Sequence, residues 1–445
     1  MARRPRYTPL AVYINGRRVG LLRRQPSGAI DFTYEQGWLE TRGALPVSLS
    51  LPLREDRYIG APVAAVFDNL LPDNVEIRGR IAAKVGAQGV DPHSLLAALG
   101  RDCVGALQFL PEDAPAPVAG QVEAVAASEA QIARILANLA RAPLGLEPDD
   151  DFRISIAGAQ EKTAFLQRDG QWFRPLGATP TTHIFKPQIG QLPNGLDLSN
   201  SVENEYLCLT LTAAWGLPSA QVSMARFEDR KVLIVERFDR FKTGDGRLLR
   251  RPQEDFCQAL STPWIGKYEA DGGPGVLQGL NLLAASDEPS LDRLAFLKAQ
   301  VVFWLLGATD GHAKNFSIFL QPGGGFRLTP LYDVLSAEPS RAARQIERKQ
   351  MKLAMAVGDK RYYRIGDVAP RHFVQSGLKA GIGAQTVRAL LAEMAQDGPA
   401  ALDQVLAALP SDFPAMVSGP IAETARERLD QIDRFLNTTA PAGRD

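Results

Sequence analysis

The sequence predicts an α+β fold in three segments: a β-rich N-terminal part over 1–115, an α/β lobe over 116–250 and a helical lobe over 251–445. Three observations carry this expectation. Short apolar runs bounded by turn residues recur through residue 235. Helical periodicity takes over from about Pro252. The chain has 445 residues, more than one ordinary core serves.

The elements follow in order. Residues 10–22 hold two apolar runs around Asn15-Gly16, a pair that tolerates positive φ and so predicts a tight hairpin. The alternation in Ile30-Asp-Phe-Thr-Tyr34 adds a strand. Helices are expected over 62–71 and 75–85. Pro111-Glu-Asp-Ala-Pro-Ala-Pro117 marks a stiff connection at the end of the first segment. A helix over 129–139 leads to an acidic stretch, 147–151. Strands are expected over 153–156, 163–166, 182–185 and 231–235. One amphipathic helix over 202–215 interrupts them, and Gly216 is its stop. Ser290 is the expected N-cap of a helix over 291–306, whose apolar second half implies deep burial. Three more helices are expected over 384–395, 399–408 and 421–436, with Pro399 suited to a first helical position.

The chemistry concentrates in Asp310-Gly-His-Ala-Lys-Asn315, followed by Asp333 in Leu328-Thr-Pro-Leu-Tyr-Asp333. An Asp, an Asn five positions on and a later Asp are the minimum equipment for magnesium-dependent phosphoryl transfer. One carboxylate takes or orients a hydroxyl proton, while the amide and the second carboxylate hold the metal on nucleotide phosphates. A polar turn after a buried helix explains the hexapeptide equally well by itself. Asp333, behind a short apolar strand, tips the balance toward catalysis. His312, Ala313 and Lys314 lie between and could reach phosphates.

Other stretches fit the same chemistry. Arg153-Ile-Ser-Ile-Ala-Gly-Ala-Gln-Glu-Lys-Thr-Ala-Phe165 reads as strand, small-residue turn and strand. Such a hairpin can lay backbone N–H groups over phosphates, with Gly158 permitting close approach. It matches neither G-x-G-x-x-G nor the Walker pattern, so an ordinary hairpin accounts for it too. Ser155, a hydroxyl beside that loop, is a candidate phosphorylation site. Lys186 ends a strand and is a candidate ligand of the α- and β-phosphates, with Glu203 or, preferably, Glu205 as its acid partner. A solvated strand-end lysine is the plain alternative. Glu236-Arg-Phe238 follows an apolar strand and could offer backbone groups to adenine. Phosphate hairpin, strand lysine, helix with Glu, connector, Asp-x4-Asn and Asp stand in the order found in protein kinases, whose bilobal layout the chain also resembles.

Composition narrows the choice. Lys plus Arg equals Asp plus Glu at 50 each, so strong unaided binding to nucleic acid is not expected. Three scattered cysteines argue against a disulfide framework, and four scattered histidines offer no zinc spacing. No apolar run approaches the ~20 residues that span a bilayer, and a cytoplasmic protein is expected.

Several long motifs are similar to those of the HipA toxin-kinase family, the serine/threonine kinases of bacterial HipBA toxin–antitoxin modules. They include Ile154-Ser-Ile-Ala-Gly-Ala-Gln-Glu-Lys-Thr-Ala164, Thr181-Thr-His183, Asp197-Leu-Ser199 with Asn204-Glu-Tyr206, Val235-Glu-Arg-Phe-Asp-Arg240 and Pro252-Gln-Glu-Asp255. Lys267-Tyr-Glu269 with Asp271-Gly-Gly-Pro-Gly275 and Gly307-Ala-Thr-Asp-Gly-His-Ala-Lys-Asn-Phe-Ser317 continue them. Phe67-Asp-Asn-Leu-Leu-Pro-Asp73, Gly100-Arg-Asp102, Val104-Gly-Ala106, Pro370-Arg-His-Phe373 and Ser411-Asp-Phe-Pro414 extend the likeness over nearly the whole chain.

The resemblance implies a bilobal, HipA-like kinase fold using ATP and Mg²⁺. Asp310 would be the catalytic base, with Asn315 and Asp333 on the metal. Ala157, Gly158, Ala159, Gln160, Glu161 and Lys162 would form the phosphate loop, and Lys186 would contact ATP phosphates. Glu236, Arg237 and Phe238 would lie beside adenine, and His312, Ala313, Lys314 and Tyr332 would complete the ATP site. Ser155 would be the autophosphorylation site, its added charge of about −1.5 to −2 repelling nucleotide and silencing the enzyme. The implied partners are a HipB-like helix-turn-helix antitoxin, operator DNA through that complex, and an aminoacyl-tRNA synthetase as substrate, glutamyl-tRNA synthetase first. In Gly377-Leu-Lys-Ala-Gly-Ile382 only Lys379 remains of two expected DNA-facing basic residues, although Arg361, Arg364 and Arg371 could substitute. Two other readings stay open: a small-molecule phosphotransferase of the aminoglycoside type, and a non-catalytic corepressor.

Overall fold

Asn15 and Gly16 both take positive φ, 46° and 79°, and close the expected two-residue hairpin between Leu10–Ile14 and Arg17–Arg24. The computed structural model describes residues 7–146, 154–158 and 160–438. Among them two compact units form, and they do not follow chain order. The first draws on Met1–Pro187, Ala225–Gly266 and Ser317–Phe326; the second on Gln188–Met224, Lys267–Phe316 and Arg327–Asp445.

In the first unit the hairpin sits in an antiparallel sheet ordered Tyr58–Ile59, Ile30–Tyr34, Arg17–Arg24, Leu10–Ile14, Leu107–Pro111. Helices Ala61–Asp68 and Pro92–Leu99 cover it, with Phe67 between Phe32 and Phe109 at ring separations of 5.5 and 5.6 Å. Gly20 has to be glycine here: a Cβ would lie 2.5 Å from the Phe32 ring. Asn74 caps helix Val75–Val85 through two N–H groups, and Gly86 ends it at φ 64°.

A second sheet of this unit places Arg230–Glu236, His183–Pro187, Thr163–Arg168, Gln171–Pro175 and Ala124–Ala126 side by side, all antiparallel. Helix Glu129–Asn138, opened by a Ser128–Gln131 capping box, lays Ile132 and Leu136 on Phe165, Phe185 and Val232.

The expected strand over 153–156 is not there. Ile154 makes an isolated parallel bridge to Asp102, Gly158 makes another to Pro72, and Arg153 lies outside the described residues. The Ser155 N–H donates to the Asp102 carbonyl at 3.0 Å. The segment is therefore an irregular loop held by the N-terminal segment, not the first arm of a hairpin.

The second unit is built around helix Pro289–Leu306, buried without a break from Ala299 to Leu306. Helices Ser201–Ala214, Val276–Leu283, Pro370–Lys379, Ala384–Ala407 and Ala415–Thr438 pack against it. Ser290 does not cap this helix. Glu288 holds the N-cap position and Pro289 starts the first turn, where its missing N–H costs nothing.

Pro399 likewise does not start a helix, because Ala384–Ala407 runs straight through it. Leu390, Leu391 and Met394 before the proline and Leu402 and Val405 after it are all buried, so packing on both sides holds the helix through it. Gly398 sends its carbonyl to the Trp215 indole N–H at 3.1 Å, and a Cβ there would lie 2.9 Å from Leu429. The last helix begins at Ala415, six residues ahead of the expected 421, and carries Pro420 within it. All three cysteines are free and buried. Among the described residues, no helix is long and apolar enough to cross a membrane.

Candidate active site

Helix Pro289–Leu306 stops at Gly307, whose φ of 67° turns the chain into the segment carrying Asp310. A side chain at Gly311 would put Cβ 2.1 Å from the Phe303 ring, so the loop lies flat on the buried helix. One 3₁₀ turn, Ala313–Asn315, then leads into strand Ser317–Leu320. Asp310 is exposed, whereas His312, Lys314 and Asn315 are buried. The Tyr268 hydroxyl donates to Asp310 Oδ1 at 2.6 Å, and the Tyr268 ring meets His312 edge-on at 5.0 Å.

Asp333 comes to the same place. Asn315 Nδ2 donates to its main-chain oxygen at 3.0 Å, and the Tyr332 hydroxyl donates to the Lys314 carbonyl at 2.8 Å. Asp333 has φ 60°, a left-handed backbone uncommon outside glycine and tolerated best by Asp and Asn. Its flanks hold it there. Leu331 exchanges backbone bonds of 2.8 Å with Pro218 and Ala220. Ser336 donates its N–H to Asn204 Oδ1 at 2.9 Å and accepts from Asn204 Nδ2 at 2.8 Å. Asn204 thus mimics a strand neighbour, placed by the first turn of helix Ser201–Ala214, where Glu203 and Glu205 are also buried. Glu203 accepts from Gln188 Nε2 at 2.8 Å.

The donor atoms fit magnesium. The Asn315 amide and the Asp333 carboxylate offer hard oxygens, the type Mg²⁺ prefers. The ion commonly takes only one or two protein ligands and keeps water or phosphate for the rest. Among the described residues no group of three or more His, Cys, Asp or Glu could hold a metal, so a protein-only cage of the zinc type is not built here.

In the first unit, Ser155 is fully buried and its hydroxyl donates to the Leu70 carbonyl at 2.8 Å. Lys162 Nζ donates to the Ala157 carbonyl at 2.5 Å, so the lysine folds back over its own loop. Gly158 takes φ 108°, and a Cβ there would lie 2.5 Å from Lys162 Nζ. Gln160 Nε2 donates to the Pro187 carbonyl at 3.1 Å, and Glu161 faces Arg80 at 3.4 Å. Ala159 lies outside the described residues.

Lys186 is buried in strand His183–Pro187, opposite Leu233. The connector after strand Arg230–Glu236 differs in how its residues are used. Glu236 is exposed, and Phe238 meets Phe319 edge-on at 5.8 Å. Arg237 is buried, its guanidinium bonded to Asp239, Thr181 and the Cys103 carbonyl, its N–H to Thr182. That arginine belongs to a buried ionic cluster: Asp102 and Asp239 with Arg237, Arg240 and Arg250. Burial alone pushes the Asp102 carboxyl up, but the three arginines outweigh it and hold it below the usual carboxylate range.

Two contacts were not foreseen from the sequence: Tyr268 on Asp310 and Asn204 on Ser336. Both residues stand inside motifs shared with a known family, yet no local pattern says what they touch.

Two family models match the chain, the HipA N-terminal domain over residues 10–110 and the HipA-like C-terminal domain over residues 154–402. A Sinorhizobium fredii relative named "Putative kinase Y4mE" is 35% identical over 403 residues, 89% of this chain and 91% of its own. The "Serine/threonine-protein kinase toxin HipA" of Shewanella oneidensis is 28% identical over 338 residues, 73% of each chain. A solved complex of Shewanella oneidensis HipA, HipB and operator DNA contains a chain matching at TM-score 0.78. That match has 23% identity and covers 97% of this chain and 100% of that one, a likeness of fold. The α+β, bilobal kinase-like architecture expected from the sequence is the one found.

Proposed function

Since the chain belongs to the HipA-like kinase toxin family, we propose that it is a serine/threonine protein kinase using Mg²⁺ and ATP, with Asp310 as catalytic base. Asp310 takes the proton of the acceptor hydroxyl as that oxygen bonds to phosphorus. Asn315 Oδ1 and the Asp333 carboxylate hold the metal. Lys186 and the loop of Ala157, Gly158, Ala159, Gln160, Glu161 and Lys162 bind phosphates, and His312, Ala313, Lys314 and Tyr332 also serve ATP. Glu236 and Phe238 serve adenine, with Arg237 anchoring their connector from behind. When bound, Mg·ATP supplies the phosphoryl group and the metal charge that offsets its negative oxygens.

The observation supporting this most is the Asn315–Asp333 bond of 3.0 Å within a loop pinned by Gly311 on Phe303. It ties the Asn315 amide to the Asp333 backbone, so the two residues are brought together without binding energy having to do so.

We further read Ser155 as an autophosphorylation site. Its hydroxyl is buried against Leu70, so the segment must unfasten before it can accept phosphate. Afterwards the added charge disfavours return and nucleotide binding. The substrate class is an aminoacyl-tRNA synthetase, with glutamyl-tRNA synthetase first. A HipB-like antitoxin silences the chain and carries operator DNA, a division that fits a chain of zero net charge. Arg364 and Arg371 are exposed and could add backbone contacts, while exposed Lys379 is engaged with Asp359.

The test incubates the purified chain with labelled ATP, Mg²⁺ and bacterial lysate, followed by phosphosite mass spectrometry. Phosphate on Ser155 and on one synthetase is expected. Asp310→Asn keeps the fold and transfers nothing; continued labelling of Ser155 by that variant refutes the assignment.

A further inference from the structure

We infer that Tyr268 is a positioning residue for Asp310, its phenol fixing the carboxylate in the orientation from which it accepts the acceptor hydroxyl proton. The inference rests on the reading of Asp310 as the base and deepens it.

Four observations carry it. The hydroxyl donates to Asp310 Oδ1 at 2.6 Å, the ordinary length of an O–H bond to an ionised acceptor, and is placed to hold one carboxylate oxygen. Asp310 is exposed and Tyr268 half-buried, so the bond satisfies no buried group and the fold does not need it. Tyr268 is fixed from both sides. The Lys267 carbonyl accepts from the Ala313 N–H at 3.2 Å, tying the segment to the Asp310 loop. Glu269 accepts from the Ala356 N–H at 2.6 Å and from Arg361 Nε at 3.2 Å, tying it to strand Lys352–Val357. Finally, the ring packs edge-on against His312, two residues from Asp310, so the phenol and the loop move together.

The chemistry follows. In the transfer, the acceptor oxygen bonds to the γ-phosphorus, the bond to the β–γ bridging oxygen breaks, and the acceptor proton passes to Asp310. A donated hydrogen bond favours the ionised carboxylate that must receive that proton. Fixing its plane also removes a rotation that would otherwise be frozen at the transition state. The titratable and charged groups beside the pair include His312, Lys267, whose Nζ lies 5.5 Å from the Tyr268 ring centre, and Glu269 with Arg361 behind them.

The experiment measures Ser155 labelling by Tyr268→Phe against the parent chain and Asp310→Asn, at saturating ATP, across ATP concentration and across pH. Phenylalanine keeps the ring on His312 and deletes only the hydroxyl. The rate should fall roughly 10–100-fold, the equivalent of one hydrogen bond to a charged group. The KM for ATP should stay within about twofold, a split expected for an interaction made at the reacting centre. The acid limb of the rate should move to higher pH, and the melting temperature should not change. A parental rate and pH profile in Tyr268→Phe overturns the inference while leaving Asp310 in place. A loss shared with KM and melting temperature overturns it too, as a structural effect. An active Asp310→Asn, or an inert parent chain, instead strikes the underlying kinase reading and takes the inference with it.

Discussion

Replacing Asp102 by Asn tests the ionic cluster of the first unit with almost no change of volume. Asp102 Oδ1 accepts from Arg240 Nη2 at 2.9 Å and from Arg250 Nε and Nη2 at 3.0 and 2.8 Å. Oδ2 accepts from the Thr181 N–H at 3.0 Å and its hydroxyl at 2.7 Å. An amide replaces one acceptor by a donor and turns it either toward the Arg240 and Arg250 guanidinium groups, which only donate, or toward the Thr181 N–H and a Thr181 hydroxyl already accepting from Arg237. Arg237 and Arg240 would then share Asp239, and Arg250 would lose the carboxylate it binds. Breaking a buried ionic network by removing one partner costs about 3–5 kcal/mol, and the upper half of that range is expected because two cations lose their best partner. At a typical urea slope this lowers the midpoint by roughly 1–2 M.

The assay is urea unfolding followed by fluorescence and circular dichroism, repeated from pH 8 down to pH 4. Because the Asp102 carboxyl titrates lower in the folded chain than in the unfolded one, its contribution is complete above the unfolded value near 4 and is lost as pH falls beneath it. The gap between parent and variant should be constant from pH 8 to pH 5 and should narrow on further acidification. A loss below about 1 kcal/mol, or a gap that widens in acid, refutes this account of the cluster.

Three further outcomes are expected. Burial pushes the Glu254 carboxyl up to about 8 despite its bond from the Leu49 N–H, so parental stability should decline between about pH 5 and 8 while Glu254→Gln stays flat in urea titrations across that range. Gly311→Ala must move the loop off Phe303, and a displacement of about 1 Å should cost roughly 100-fold in Ser155 labelling with the circular dichroism spectrum kept. Asn204→Ala leaves two Ser336 backbone groups unpaired, costs about 1–3 kcal/mol in denaturation, and should raise the magnesium concentration needed for half-maximal rate, because the segment after Asp333 loosens.

What the sequence reveals and what it hides divide along physical lines. Asn15-Gly16 and Gly216 are legible because backbone conformation at one or two residues decides them, and both positions take positive φ. Ser290 fails as a cap because the adjacent Pro289 already starts the helix, a competition between neighbours that a single-residue preference misses. Pro399 fails as a start because burial on both sides and the Trp215 bond outweigh one missing N–H, and those partners are distant in sequence. The 153–156 segment looks like a strand by composition, yet its bridge, from Ile154, goes to Asp102, not to a hairpin neighbour. Of the candidate site residues, Asp310, Asn315 and Asp333 stand out by their motif and order. Tyr268 and Asn204 do not, since their roles exist only once separate stretches of chain meet.

The placement of Asp102 bears on how this protein can be taken apart. It lies at the end of the stretch matched by the N-terminal family description, while Arg237, Arg240 and Arg250 belong to the other. A truncated product starting at residue 154 would inherit three interior guanidinium groups with Asp239 as their carboxylate in the cluster, and leave behind the one that binds Arg250 and shares Arg237 and Arg240. Grafting a foreign N-terminal half onto this C-terminal half should work only where the donor brings an acid to the same spot.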